Sequence, residues 1–145
     1  MPLIADTFER ALLDIEGSTN VTIAQMRHAS AFQEYMEGLV TLPLVPSFVH
    51  EQAATAMSSA LAGQHLAPPA GIVAINAGYL AYVGVVLAYL ATLGWIPSIP
   101  PIPTGPIDVA SVTAGLTSTE YVARVHGWVT AISGSIPPVA PVRWS

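Results

Sequence analysis

A chain of 145 residues is long enough to bury one hydrophobic core and short for two. Only 9% of its residues are charged while 52% are hydrophobic, too little charge to coat a free domain of this size, so much of its outside is expected to be interface. The net charge is −5 and the four cations, Arg10, Arg27, Arg124 and Arg143, are scattered, which disfavours nucleic-acid binding; the absence of cysteine excludes disulfides, zinc–thiolate sites and cysteine nucleophiles.

In chain order, the N-terminal residues Met1 to Asp6 lack a basic stretch leading into an apolar one, and Glu9 and Asp14 follow, so no secretion signal is read here. Asp6 with Glu9 resembles a capping box, Phe8, Leu12 and Ile15 line one face, and Gly17 stops this short first helix. The second helix is expected to begin at Thr22, with Gln25 three residues on, and to bury Met26, Ala29, Phe32, Met36 and Leu39 at spacings of three and four. Ser47 is placed to cap a third helix that runs to about Gly63 and is rich in Ala and Ser, side chains small enough for close helix approach.

The fourth helix follows Pro68 and Pro69 and runs from about Ala70 to Leu93, in the middle of a stretch, residues 52–107, without one Asp, Glu, Lys or Arg. Small residues recur along it at Ala74, Ala77, Ala81, Gly84, Ala88 and Ala91, a seam that admits a second helix at short distance. Bulk recurs at Ile75, Tyr79, Tyr82, Val86, Tyr89 and Leu93, a seam that fills a groove and brings phenol hydroxyls in need of partners. Asp108 to Ala114 adds a short helical turn. The fifth helix opens on a capping box, Thr117 with Glu120, and carries Val122, Val125, Val129 and Ile132 on one stripe before Gly134.

Three of the helices run into proline segments whose other residues are aliphatic: 42–46, 96–103 and 136–142. Proline holds such segments extended, and their Ile, Leu and Val gain stability only against apolar surface. They read either as straps over the chain's own core or as arms onto a neighbour. The arm reading is strongest at the C-terminus (135–145), where Pro137, Val139 and Val142 are joined by Arg143 and Trp144, residue types favoured as interface anchors.

A membrane span at 71–95 is the main alternative for the uncharged helix, since about 20 apolar residues cross a bilayer. Against it stand the absence of flanking Lys or Arg and the spread of Asn76, Tyr79, Tyr82 and Tyr89 through the segment instead of at its ends. Chemistry is not legible. His28, His50, His65 and His126 have no metal-ligand spacing and are read as surface or capping groups, Glu34 with Glu37 as a solvated face, and no phosphate-binding loop or nucleophile elbow occurs. The chain is expected to be non-enzymatic, with no cofactor and no metal.

The run from Ala31 to Pro43, the helix segment Gly78-Tyr79-Leu80-Ala81-Tyr82 and the strap Ile99-Pro100-Pro101-Ile102-Pro103 together resemble small Ala- and Pro-rich virion proteins of tailed bacteriophages. The resemblance implies a copy-repeated structural part of a tail, baseplate, neck or capsid, located in the virion, with other protein subunits as partners; it carries over no site residues. The expected architecture is a single all-α domain, 1–145, of about five helices with the uncharged helix at its centre. The expected function is a structural subunit or cement of a larger assembly, with a small membrane protein and a small ligand-binding helical bundle as the alternatives.

Overall fold

Side-chain caps set the starts of two helices. The computed structural model describes residues 8–13, 20–37, 45–67, 69–92, 105–108, 110, 112 and 114–133, with no side-chain description for 130–133. This part is 80% helical and contains no strand, the all-α fold expected from the sequence. Its helices are α1 (8–13), α2 (Val21–Glu37), α3 (Ser47–Ala60), α4 (Ala70–Thr92) and α5 (Ser118–Ser133).

At α5 the capping box closes in both directions: Glu120 N donates to Thr117 Oγ1 at 3.1 Å and Thr117 N donates to Glu120 Oε1 at 3.1 Å. Two other starts differ from expectation. Asn20, not Thr22, caps α2, its Oδ1 accepting from Ile23 N at 3.0 Å. Ser47 is already helical and makes no cap; Pro46 precedes it with extended backbone (φ −65°, ψ 154°), and its carbonyl accepts from Val49 N and His50 N. After α3, Gly63 adopts φ +91°, a left-handed conformation that costs glycine nothing and reverses the chain toward α4. The turn after Asp108 forms, with Ala114 N donating to Ala110 O at 3.0 Å.

A single hydrophobic cluster joins all five helices, and α4 is its spine. Tyr79 and Tyr82 are fully buried, with Val86 and Leu90 following on the same face. Phe32 of α2 meets them edge-on, at ring-centroid distances of 4.8 Å and 5.0 Å, and also contacts Phe8 and Tyr35. Such edge-to-face pairs contribute about 0.5–1.5 kcal/mol each beyond their buried area. Val122, Val125 and Val129 close the cluster from α5 as their spacing indicated. The most extensive helix pairing is α3 with α4, followed by α2 with α3.

Close approach of α3 to α4 depends on Gly78. A Cβ there would lie 2.6 Å from Leu61 Cδ2 and 2.8 Å from Leu61 Cγ. Gly78 is not a member of the small-residue seam, but the seam residues Ala74 and Ala81, four before and three after it on the same side of α4, are buried and half-buried. One stripe also needs correction: α2 buries His28, Ala29, Ala31, Phe32 and Tyr35, whereas Met26 is 58% exposed and Met36 half-buried. The helix is turned so that two polar-tipped residues, His28 and Tyr35, enter the core, which is favourable only because both find hydrogen-bond partners there. Leu39, Ile15 and the proline segments 96–103 and 136–142 lie outside the described residues.

Candidate functional site

Two features exceed what packing a bundle requires: the outer face of α4 and a chain of hydrogen-bonded rings inside. On α4 the bulky seam points inward, with Tyr79, Tyr82 and Val86 buried and Ile75 and Tyr89 half-buried. Of the small seam, Ala74 is buried and Ala81 half-buried, while Ala77, Gly84, Ala88 and Ala91 are exposed. Among the described residues nothing lies within 4 Å of a Cβ built on Gly84. Val73, 66% exposed, and the half-buried Leu80 and Leu87 share this outward side. The result is a helix apolar on both faces, of which the other described residues cover only one.

The outward residues have an order of their own. Val73, Ala77, Leu80, Gly84, Leu87 and Ala91 recur at alternating spacings of four and three, the 3.5-residue period of helices that pack along their length. Bulk (Val73, Leu80, Leu87) and gap (Ala77, Gly84, Ala91) alternate along this line, each set seven residues apart. Charge is confined to other surfaces: Arg27, Glu34 and Glu37 are exposed on α2, and Glu120 and Arg124 on α5. Arg124 Nη1 donates to Asp108 Oδ1 at 3.0 Å, a solvent-exposed pair of small energetic weight.

Asn76, which counted against a membrane span, anchors the chain beyond α4. Its Nδ2 donates to Ile107 O at 2.7 Å and its Oδ1 accepts from Ile107 N at 3.1 Å, so one side chain satisfies both backbone groups of a buried residue.

Three histidines, expected at the surface or at helix ends, instead pair with tyrosines. His28 and His50 are buried and His126 is half-buried; only His65 is exposed. His28 Nδ1 lies 2.6 Å from Gln64 Oε1, which assigns the proton to Nδ1 and leaves Nε2 to accept from the Tyr79 hydroxyl at 2.9 Å. Tyr121 Oη lies 2.7 Å from Tyr79 Oη and 3.4 Å from His28 Nε2. Protons therefore run in one direction, from Tyr121 to Tyr79 to His28 to Gln64, with every buried donor used. His50 Nδ1 pairs with Tyr82 Oη at 2.6 Å, and His126 Nδ1 with Tyr35 Oη at 3.2 Å.

Burial lowers the pKa of His28 below its ordinary 6.5 despite the opposing hydrogen bond to Gln64. Burial likewise lowers His50, against the Glu37 carboxylate, and lowers His126. The phenols of Tyr79, Tyr82 and Tyr121 are pushed up, again mainly by burial, so the paired rings stay neutral together. Sequence spacing could not pair these residues, because His28 and Tyr79 lie on different helices; the signal available was that phenols on a buried seam require partners. Among the described residues no three His, Asp or Glu side chains gather as a metal site would require.

Beside the ring chain a cavity of about 260 Å³ opens between α1, α2, α4 and the start of α5. Leu12, Leu13, Ile75 and Leu116 form its apolar walls, and His28, Thr117, Ser118 and Tyr121 contribute its polar part. A shallower groove of about 430 Å³ separates α2 from α3 and is lined by Ser30, Gln33, Ser58 and Ser59 among others. The C-terminal residues singled out as an arm, Pro137, Val139, Val142, Arg143 and Trp144, lie outside the described residues.

The fold and these surfaces define an all-α bundle with an uncharged outer helix face. No protein-family model, curated protein or solved structure matches this chain.

Proposed function

We propose that the protein is a non-enzymatic structural subunit of a larger assembly, in which copies of the chain meet through the outer face of α4. One observation carries this reading: α4 buries its bulky seam in its own core and presents an uncharged, ordered stripe of alternating bulk and gap to the outside. Such a stripe is self-complementary. Leu80 of one copy fits the gap at Gly84 or Ala77 of another, as a two-fold interface demands. The scarcity of charge, 9% of residues, is accounted for when a large part of the surface is shared with neighbours. Resemblance in texture to small virion proteins of tailed bacteriophages supports placing that assembly in a virion. The arm residues Pro137, Val139, Val142, Arg143 and Trp144 are assigned as a second contact on their composition.

Sedimentation of the wild-type chain beside Gly84→Glu tests the reading. A carboxylate on the outer stripe should shift an oligomer to monomer while the helical circular dichroism stays unchanged. A wild-type chain that stays monomeric at high concentration would refute it. A second reading draws on the length of α4, 23 residues at a mean hydropathy of 1.8, which suffices to cross a membrane. Against it, the inward face of that helix carries hydrogen-bonded tyrosines and Asn76. Flotation with lipid vesicles separates the two: co-flotation of the purified chain favours the membrane, and its absence favours assembly.

A further inference from the structure

The cavity between α1, α2, α4 and the start of α5 is not needed by an assembly subunit, and its chemistry is specific enough to name an occupant. We propose that it binds a small neutral amphiphile, a single ring or compact branched chain bearing one hydroxyl, with that hydroxyl donated to the Tyr121 oxygen.

Size comes first. An apolar cavity of about 150 Å³ accommodates benzene, so about 260 Å³ holds one ring with a substituent. The walls supply four aliphatic side chains, Leu12, Leu13, Ile75 and Leu116, which reward burial of an apolar body. Polarity comes from Thr117 and Ser118, whose hydroxyls donate to Glu120 and Glu9, and from the end of the ring chain. Gln64 fixes the proton of His28 on Nδ1, so Tyr79 donates to Nε2 and Tyr121 donates to Tyr79. The Tyr121 hydroxyl has then spent its hydrogen and keeps lone pairs, making it an acceptor at a cavity that it lines.

Charge settles the rest. One ionised group at the rim is Glu9, whose Oε2 accepts from Ser118 Oγ at 3.3 Å and Thr119 Oγ1 at 3.1 Å. Glu120 already occupies the first turn of α5, where its carboxylate accepts from Thr117 N and Thr117 Oγ1. Among the described residues no cation lines the cavity and two carboxylates stand near its mouth, so an anionic ligand is disfavoured. The buried His28 is held neutral, which removes the remaining source of positive charge.

Titration of the full-length chain with phenol, toluene and benzoate, followed by amide chemical-shift changes, tests the site. Phenol should bind saturably, about tenfold more tightly than toluene, the worth of one retained hydrogen bond, and benzoate should not bind. Tyr121→Phe should remove the preference for phenol and leave toluene the tighter ligand, because the buried hydroxyl is then unpaired, and Ile75→Trp should abolish both by filling the space. The proposal is overturned if wild-type phenol shifts never saturate, if wild-type protein does not distinguish phenol from toluene, or if Ile75→Trp leaves phenol binding intact. The first two results need no variant, so misfolding of a mutant cannot shelter the idea. Ile75 lies on the inward seam of α4, so the outcome is independent of assembly through the outer face.

Discussion

Gly78 and Gly84 stand six positions apart on one helix, and the same substitution should move stability in opposite directions. Gly→Ala in a helix interior gains about 1 kcal/mol from backbone entropy alone. At Gly84 none of the described residues lies within 4 Å of the new methyl, so the isolated subunit should keep that gain. At Gly78 the methyl would stand 2.6 Å from Leu61 Cδ2 and 2.8 Å from Leu61 Cγ, with Met57 Cγ at 3.4 Å. Those separations fall roughly 1 Å short of ordinary carbon–carbon contact. Leu61 and Met57 are both fully buried, so Leu61 cannot rotate into solvent and α3 must shift away from α4. Overpacking of this kind costs about 1–3 kcal/mol, which outweighs the propensity gain and leaves Gly78→Ala destabilised by about 1 kcal/mol. The two variants should then differ by about 2 kcal/mol, or on the order of 4–8 °C in melting temperature for a chain of this length. Thermal unfolding by circular dichroism, at a dilution where subunits are separate, reads the difference directly. If Gly78→Ala melts above wild type, or the two variants rise together, α3 does not abut α4 at Leu61 and the packing described is wrong.

Other expectations rest on polar groups. Asn76→Leu removes both partners of the buried Ile107 backbone, and urea unfolding should show a loss of about 2–4 kcal/mol; a loss under 1 kcal/mol would mean that the clamp is made by water instead. His28, His50 and His126 all have folded pKa values below the ordinary 6.5, so the unfolded chain binds more protons. Their contribution is therefore complete above about pH 6.5 and is lost progressively as the pH falls from there toward the depressed folded values. Chemical unfolding at pH 7.5 and 5.5 should show the lower stability at 5.5, and equal or greater stability at 5.5 would contradict the buried pairing. Removal of residues 137–145 should weaken association while leaving the melting temperature of the dilute subunit in place, as sedimentation and calorimetry would report.

Much of the architecture was legible because local rules and tertiary packing agree. The Thr117–Glu120 box, the valine stripe of α5 and the extent of α4 from Ala70 follow from spacing alone, and the structure realises them. Reading failed on α2, where an apolar stripe through Met26 was expected and the buried stripe runs through His28 and Tyr35. Periodicity ranks side chains by apolarity, whereas burial here is decided by whether a polar tip finds a partner on another helix, a fact no single helix contains. The histidines were misjudged for the same reason. On α4 both seams were visible in the sequence, but which faced inward was not, because the helix carries no charge and no polar side to orient it. Aromatic bulk decided it: Tyr79 and Tyr82 fill the space around Phe32, and Ala77, Gly84, Ala88 and Ala91 of the small seam are left to the outside.

The chain contains no cysteine, so a single introduced thiol reports contacts without background. Mild oxidation of Gly84→Cys, beside Glu34→Cys on the exposed side of α2, measures directly whether copies meet through the outer face of α4. Expected is rapid disulfide-linked dimer from Gly84→Cys and little from Glu34→Cys. Equal rates at both positions, or preference for Glu34→Cys, would contradict the assignment of that face as the assembly interface.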